Sequence, residues 1–85
     1  MKEIIYTIKD PLGIHARPAG LLVKNLQRFE STITISRGDD SCNGKKLLAL
    51  MKMRVKTGET ISLKCEGADE DAVAHAAKSF LSENL

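Results

Sequence analysis

The sequence predicts an α+β fold in which three helices cover one face of a four-stranded sheet. Two observations carry this prediction. Three short segments alternate apolar and polar residues, as half-buried strands do, and a fourth can pair back as a short polar edge strand. The other apolar segments show helical spacing or a run of good helix formers. The segments follow the order strand, helix, strand, strand, helix, strand, helix (βαββαβα). A chain of 85 residues can fold this order into two layers around a modest core.

The first half of the chain begins with a predicted strand over residues 2–8, where isoleucine and tyrosine alternate with polar residues. Asp10-Pro11 ends the strand, because this dipeptide favours a turn. A helix is predicted from about Ala16 to Phe29, since its apolar residues fall on one stripe. Pro18 lies in the first turn of this helix, where its missing N–H costs nothing.

A hairpin and a short helix follow. Residues 32–37 are rich in β-branched residues, and Gly38-Asp39 is a turn signal that lets 41–43 pair back as a short polar edge strand. An apolar run of good helix formers over 47–53 predicts the second helix.

The last two elements are a strand over residues 60–66 and a helix that begins after Gly67-Ala68. Asp69 is a suitable N-cap, and Glu70 and Asp71 complement the helix dipole. The expected buried stripe of this helix comprises Val73, Ala76, Ala77, Phe80 and Leu81.

Composition restricts the function classes. The net charge of +2 and the few aromatic residues argue against nucleic-acid binding. No apolar stretch is long enough to span a membrane, and no signal peptide is recognisable, so we expect a cytoplasmic protein without membrane insertion. Cys42 and Cys65 are expected to be free thiols, and no metal site or cofactor is expected.

The segment 13–19, Gly-Ile-His-Ala-Arg-Pro-Ala, is the strongest functional signal. It places His15 at a helix start, where the N–H groups of Ala16 and Arg17 have no intrahelical acceptor and carry partial positive charge. These N–H groups and the Arg17 guanidinium can hold a phosphate, and His15 can accept the phosphoryl group. No carboxylate in this segment is placed as a general base. The alternative is a histidine that helps to cap the helix.

Other candidates lie elsewhere in the chain. His75 is expected to face solvent without a catalytic role, and Lys46 reads as a solvated lysine or a contact to an acidic partner. Leu47, Leu48 and Met51 are expected to form an exposed apolar patch, a common mark of partner sites, while Leu50 and Met53 suit the core. Motifs for nucleotide binding and for hydrolases are absent from the sequence.

The segment 13–19 resembles the active-site signature of the HPr family, the histidine-containing phosphocarriers of the bacterial phosphoenolpyruvate:sugar phosphotransferase system. The similarity extends to Phe29, Leu47-Leu48, Leu50-Met51, Thr57-Gly58 and residues 67–70. It implies an open-faced β-sandwich with an antiparallel sheet, formed by residues 1–85 as one HPr-like domain. It also implies phosphorylation of His15 on Nδ1, attended by Arg17, with enzyme I as the donor and enzyme IIA domains as the recipients.

The resemblance also assigns a docking surface for these partners, on a carrier expected to be a monomer. The positions that match the family's docking residues are Gly20, Leu21, Lys24, Leu47, Leu48 and Met51. Lys46 stands where many relatives carry a regulatory serine, and Arg54 stands where a glycine is common. An alternative is a regulatory binding module, of a nitrogen or other regulatory branch, that uses the same face.

Overall fold

A four-stranded antiparallel sheet, in the order β1-β4-β2-β3, forms one layer of the computed structural model, which describes residues 1–85. The strands are β1 (Lys2–Thr7), β2 (Thr32–Arg37), β3 (Asp40–Asn43) and β4 (Thr60–Glu66). The helices are α1 (Ala16–Leu26), α2 (Leu47–Lys52) and α3 (Glu70–Asn84). The predicted α+β class and the predicted order of elements are confirmed.

The first helix is shorter than the sequence predicts. α1 ends at Leu26 rather than Phe29, and the chain beyond it tightens into a turn. In that turn the N–H groups of Arg28 and Phe29 donate to the carbonyls of Asn25 and Leu26, three residues back. Phe29 still packs against the core, so the apolar stripe continues beyond the end of the helix.

The core lies between the sheet and the helices. Ile33 and Ile35 of β2 and Leu63 of β4 are fully buried, as are Leu22 and Leu26 of α1. Burying such a side chain contributes about 1.5–3 kcal/mol relative to leaving it exposed. The period-2 pattern of the strands and the helical stripe of α1 therefore meet in one apolar layer, as predicted.

Hydroxyl side chains occupy much of the opposite face of the sheet, which no helix covers. The hydroxyls of Thr7 and Thr60 are hydrogen-bonded across β1 and β4 at 2.8 Å, and Ser62 donates to the carboxylate of Glu3 at 2.6 Å. This face is polar because it remains in water.

Asp69 is at the predicted N-cap position of α3, but its carboxylate does not cap the helix. It accepts hydrogen bonds from the backbone N–H groups of Glu30 and Ser31, at 2.9 and 3.0 Å, and a short one from the Ser31 hydroxyl. These bonds hold the pKa of Asp69 below its usual value, with the Ser31 hydroxyl as the main cause. Asp69 is therefore the N-cap residue, as predicted, but its side chain forms hydrogen bonds that connect α3 to the segment just before β2.

Arg54 has φ 51°, in the left-handed region that favours glycine. It directly follows Met53, the C-cap of α2, and its N–H donates to the carbonyl of Met51 at 3.1 Å. A left-handed residue at this position is a common helix ending, and glycine usually supplies it. This geometry explains why a glycine suits the position where the present chain has arginine.

Candidate functional site

His15 is the N-cap residue of α1, with extended backbone (φ −115°, ψ 172°) and a half-buried side chain. Its ring makes no hydrogen bond to the helix, so the capping alternative for His15 is not what the structure shows. The N–H groups of Ala16 and Arg17 donate to no backbone or side-chain acceptor. The ring therefore lies beside two unsatisfied donors at the positive end of a helix dipole.

The backbone beneath His15 rests on the segment that follows α2. The N–H of Ile14 donates to the carbonyl of Val55 at 3.0 Å. Gly13 has φ 67°, and a Cβ at this position would lie 2.4 Å from that same carbonyl oxygen. Only glycine fits both the conformation and the close approach. Gly13 therefore determines the position of the loop that carries His15.

Asp10 contacts the imidazole of His15, a contact that the sequence pattern does not predict. Its Oδ2 lies 3.2 Å from Nε2 of His15, and its Oδ1 accepts the N–H of Leu12 at 2.9 Å. The pKa of Asp10 is lowered, first by the Leu12 N–H and then by the hydrogen bond to His15. An aspartate that ends a strand before proline suggests only a turn, so sequence gave no signal for this contact.

Arg17 lies in the first turn of α1, is exposed, and forms no ion pair or side-chain hydrogen bond. No acidic residue occurs in that turn. A cation next to the positive end of a helix is unfavourable on its own. The first turn of α1 therefore carries positive charge that no acidic side chain within the turn offsets.

The predicted docking residues lie on α1 and α2, which pack against each other. Leu21 is 51% exposed, Leu47 39% and Leu48 76%, and Lys24 and Lys46 are exposed without ion pairs. These three leucines and two lysines are called the docking surface below. They form an apolar surface with positive charges.

Two of the predicted docking residues, Met51 and Gly20, are half-buried. Met51 is half-buried and packs against the core, so it contributes less exposed area to the predicted apolar patch than Leu47 and Leu48 do. Its position one turn beyond Leu47 and beside buried Leu50 turns it partly inward. Gly20 is half-buried, and a Cβ added there would meet no atom within 4 Å, so it leaves an open recess on α1.

Hydrogen bonds tie the end of α1 to the loop before α2. The side-chain amide of Gln27 donates to the carbonyl of Lys45 at 2.9 Å, and the Lys45 ammonium donates to the carbonyl of Phe29. Lys45 is therefore engaged within the fold, whereas Lys46 is available to a partner. The two halves of the docking surface are held together by these contacts.

The remaining candidates have no part in this arrangement. His75 is exposed on α3, as predicted, and its side chain makes no hydrogen bond. Cys42 is half-buried and Cys65 buried, both are free thiols, and burial raises the pKa of each. No group of three histidine, cysteine or carboxylate side chains is close enough to hold a metal ion. Even the longest helix, α3 with 15 residues, does not have the length and apolar composition of a membrane-spanning segment.

Comparison with known proteins identifies the class that this fold and site define. Residues 2–83 match the family model of the PTS HPr component phosphorylation site. The chain is 40% identical over 83 residues to the phosphocarrier protein HPr of Lysinibacillus sphaericus, covering 98% of this chain and 94% of that protein.

Solved structures agree with the sequence comparison. A mycoplasma histidine-containing phosphocarrier protein superposes with a TM-score of 0.94 at 34% identity, covering 96% of this chain and 93% of that one. An HPr of Thermoanaerobacter tengcongensis solved as a dimer has a TM-score of 0.78 at 32% identity, covering 98% and 95%.

The chain belongs to the HPr family. It is a phosphoryl carrier of the phosphotransferase system, and its open-faced sandwich is the fold of that family. The family resemblance inferred from segment 13–19 is confirmed.

Proposed function

We propose that this protein carries the phosphoryl group on Nδ1 of His15, as a phosphohistidine intermediate. The observation that supports it most is the position of the ring beside the free N–H groups of Ala16 and Arg17. A dianionic phosphoryl group attached to Nδ1 accepts hydrogen bonds from these N–H groups, and its negative charge complements the helix dipole. The exposed guanidinium of Arg17 supplies the charge that attends the group as it moves.

The transfer step needs little from the protein beyond placement and charge. The lone pair of Nδ1 attacks the phosphorus atom of phosphorylated enzyme I, and the bond from phosphorus to its donor atom breaks. The electron pair of that bond stays with the donor, while Nε2 of His15 keeps its proton. The reverse movement delivers the group to an enzyme IIA domain. The carrier therefore requires no nucleotide site or cofactor of its own.

The docking surface is proposed to bind enzyme I and enzyme IIA domains in turn. Its leucines supply apolar contact area, and Lys24 and Lys46 suit a partner whose site is rimmed by carboxylates. One surface beside one ring explains how successive partners reach the same phosphoryl group. We propose that residues 1–85 act as one cytoplasmic, monomeric domain, which sedimentation at micromolar concentration tests. A stable dimer would contradict the monomer.

The experiment that tests the carrier is incubation with enzyme I and phosphoenolpyruvate, followed by intact mass and acid treatment. One phosphoryl group is expected, and it should be acid-labile because a phosphoramidate hydrolyses readily in acid. His15→Ala should abolish the label. His75→Ala is the matched control, since His75 is exposed and unpartnered, and it should leave the label intact. Undiminished labelling of the His15 variant would refute the assignment.

Lys46 bears on regulation. Where many relatives carry a regulatory serine, this chain has an ammonium and no hydroxyl, so HPr kinase/phosphorylase with ATP should not modify residue 46. Ser41 lies in β3, where the backbone presents it differently from a loop. Kinase-dependent phosphate mapped to Ser41 or to a loop hydroxyl would contradict this part of the proposal. No observation specifically favours the regulatory alternative, and His15 with Arg17 favours the carrier.

A further inference from the structure

Asp10 uses both oxygens of its carboxylate within the loop that carries His15. Oδ1 accepts the N–H of Leu12 at 2.9 Å, and Oδ2 lies 3.2 Å from Nε2 of His15. Both side chains of the Asp10–His15 pair are only partly exposed, 24% for Asp10 and 35% for His15. The proposed transfer step assigns no task to this contact.

The main chain of Asp10 is itself fixed, so the carboxylate has a defined place. Its N–H donates to the backbone oxygen of Leu85 at 2.8 Å, and its carbonyl accepts the N–H of Gly13, also at 2.8 Å. The next residue is Pro11, whose ring restricts the backbone further. The Leu12 N–H then holds the carboxylate in an Asx turn. The oxygen that faces His15 cannot leave without breaking this turn.

The chemistry of the pair selects one tautomer of the imidazole. A neutral imidazole carries one N–H and one lone pair, and an ionised carboxylate can only accept hydrogen bonds. The lowered pKa of Asp10 means that it is ionised at neutral pH. The nitrogen that faces it is therefore the one that bears the proton, which leaves the lone pair on the other nitrogen.

We propose that Asp10 is a positioning residue for phosphoryl transfer, which holds His15 in the Nε2–H tautomer so that Nδ1 is the nucleophile. The proposal deepens the proposed function and rests on His15 as the phosphoryl acceptor. During transfer the lone pair of Nδ1 forms the bond to phosphorus, and the proton on Nε2 remains hydrogen-bonded to Asp10. No proton moves between the two side chains, so Asp10 acts through orientation and charge alone.

Two substitutions separate this role from a structural one. Asp10→Asn keeps an oxygen for the Leu12 N–H, and so keeps the turn, but it presents an amide N–H donor to Nε2. That donor favours a lone pair on Nε2 and moves the proton to Nδ1. Asp10→Ala removes the turn and the contact together, but it imposes no tautomer. A residue with only a structural role would make alanine the more harmful change.

The spectroscopic readout is the ring ¹⁵N shifts of histidine-labelled protein, with two-bond ¹⁵N–¹H correlations, at a pH where both rings are neutral. In the wild type, the Nε2–H fraction at His15 should exceed that at His75, the unpartnered internal reference. Asp10→Asn should shift His15 toward Nδ1–H, and Asp10→Ala should bring it to the His75 value. Equal tautomer fractions in all three proteins would overturn the proposal.

The kinetic readout is single-turnover transfer from phosphorylated enzyme I. Asp10→Asn should slow transfer by about 10–100-fold, the loss typical when the outer-shell partner that orients a metal-binding histidine is changed. Asp10→Ala should slow it by less. Alanine slower than asparagine would overturn the proposal in favour of a structural role. Failure of the proposed function gives a different result, because label would then persist on His15→Ala whatever the tautomers of the Asp10 variants.

Discussion

The two long helices begin in opposite ways. The first turn of α3 contains Glu70 and Asp71, and the Glu70 carboxylate accepts the N–H of Gly67 at 3.2 Å. The first turn of α1 contains no acidic residue, has Arg17 instead, and leaves two N–H groups without acceptors. One helix start is neutralised by its own side chains, and the other keeps its positive charge.

The difference separates a structural helix start from a functional one. Carboxylates in a first turn stabilise a helix by complementing its dipole, and α3 uses them. α1 forgoes that stabilisation, so its charge is available to an anion that is not part of the protein. A missing local stabilisation next to a histidine is thus informative in the same way as a motif.

The largest expected effect comes from removing the charge at the start of α1. Arg17→Ala should reduce transfer rates about 10–1,000-fold, as loss of one charge-stabilising donor does, and change stability by no more than about 0.5 kcal/mol. Stopped-flow transfer and thermal unfolding measure the two effects. Lys78→Ala, an exposed cation on α3, is the matched control and should change neither. A large fall in melting temperature with normal transfer would reverse the contrast between the helices.

The start of α2 extends the comparison, because its N-cap is Lys46 and its first turn also lacks acidic residues. Lys46→Glu should slow association with enzyme I by about 3–10-fold at low salt, since charge complementarity governs encounter rates. The effect should shrink as salt screens the charge. Lys64→Glu, on the open face of the sheet, is the control. If Lys46→Glu associates at the wild-type rate at every ionic strength, Lys46 is only a solvated residue with no role in docking.

The start of α3 can be tested through Ser31, a buried residue whose hydroxyl contacts Asp69. Ser31→Ala should lower stability at neutral pH by about 1 kcal/mol, the typical net worth of a hydrogen bond. Ser41→Ala, an exposed serine without a hydrogen bond, should have little effect.

The pH dependence of that loss follows from the lowered pKa of Asp69 in the folded state. Such an acid stabilises the folded protein above its unfolded pKa and loses this contribution as the pH falls through the folded value. The difference between wild type and Ser31→Ala should therefore shrink below about pH 4. A constant difference down to pH 2 would contradict the role of the Ser31 hydroxyl in the Asp69 shift.

The smallest effect is expected at the end of α2. Arg54→Gly should raise stability by about 0.5–1 kcal/mol, because relief of the left-handed conformation outweighs the added freedom of the unfolded chain. Arg54→Ala removes the same charge without relieving φ and should give no gain. Chemical denaturation of the three proteins measures the difference. Equal gains in both variants would assign the effect to charge rather than to backbone.

Sequence reasoning predicted the elements well because their patterns are local. β2 and β4 have the predicted bounds, and the stripe of α1 was identified apart from its last turn. A motif and a short apolar run are visible along the chain, so His15 and Arg17 could be placed at a helix start and Leu47 and Leu48 on the surface, as the structure has them; their roles remain proposals. The contacts of Asp10 and Asp69 were missed, because they depend on how loops approach in space. The exposure of Met51 was overestimated, because a helix of six residues is too short for its apolar periodicity to show which face is buried.

The approach of Gly13 to the carbonyl of Val55 has a consequence for how the carrier can diverge. The distance from the His15 ring, the proposed phosphoryl acceptor, to the leucines of α2 is set by main-chain atoms, through the segment that leaves that helix. Individual leucines and lysines can then be exchanged to suit different recipients without altering the reach of the phosphoryl group. An insertion or deletion between Met53 and Lys56, by contrast, would disturb every partnership at once.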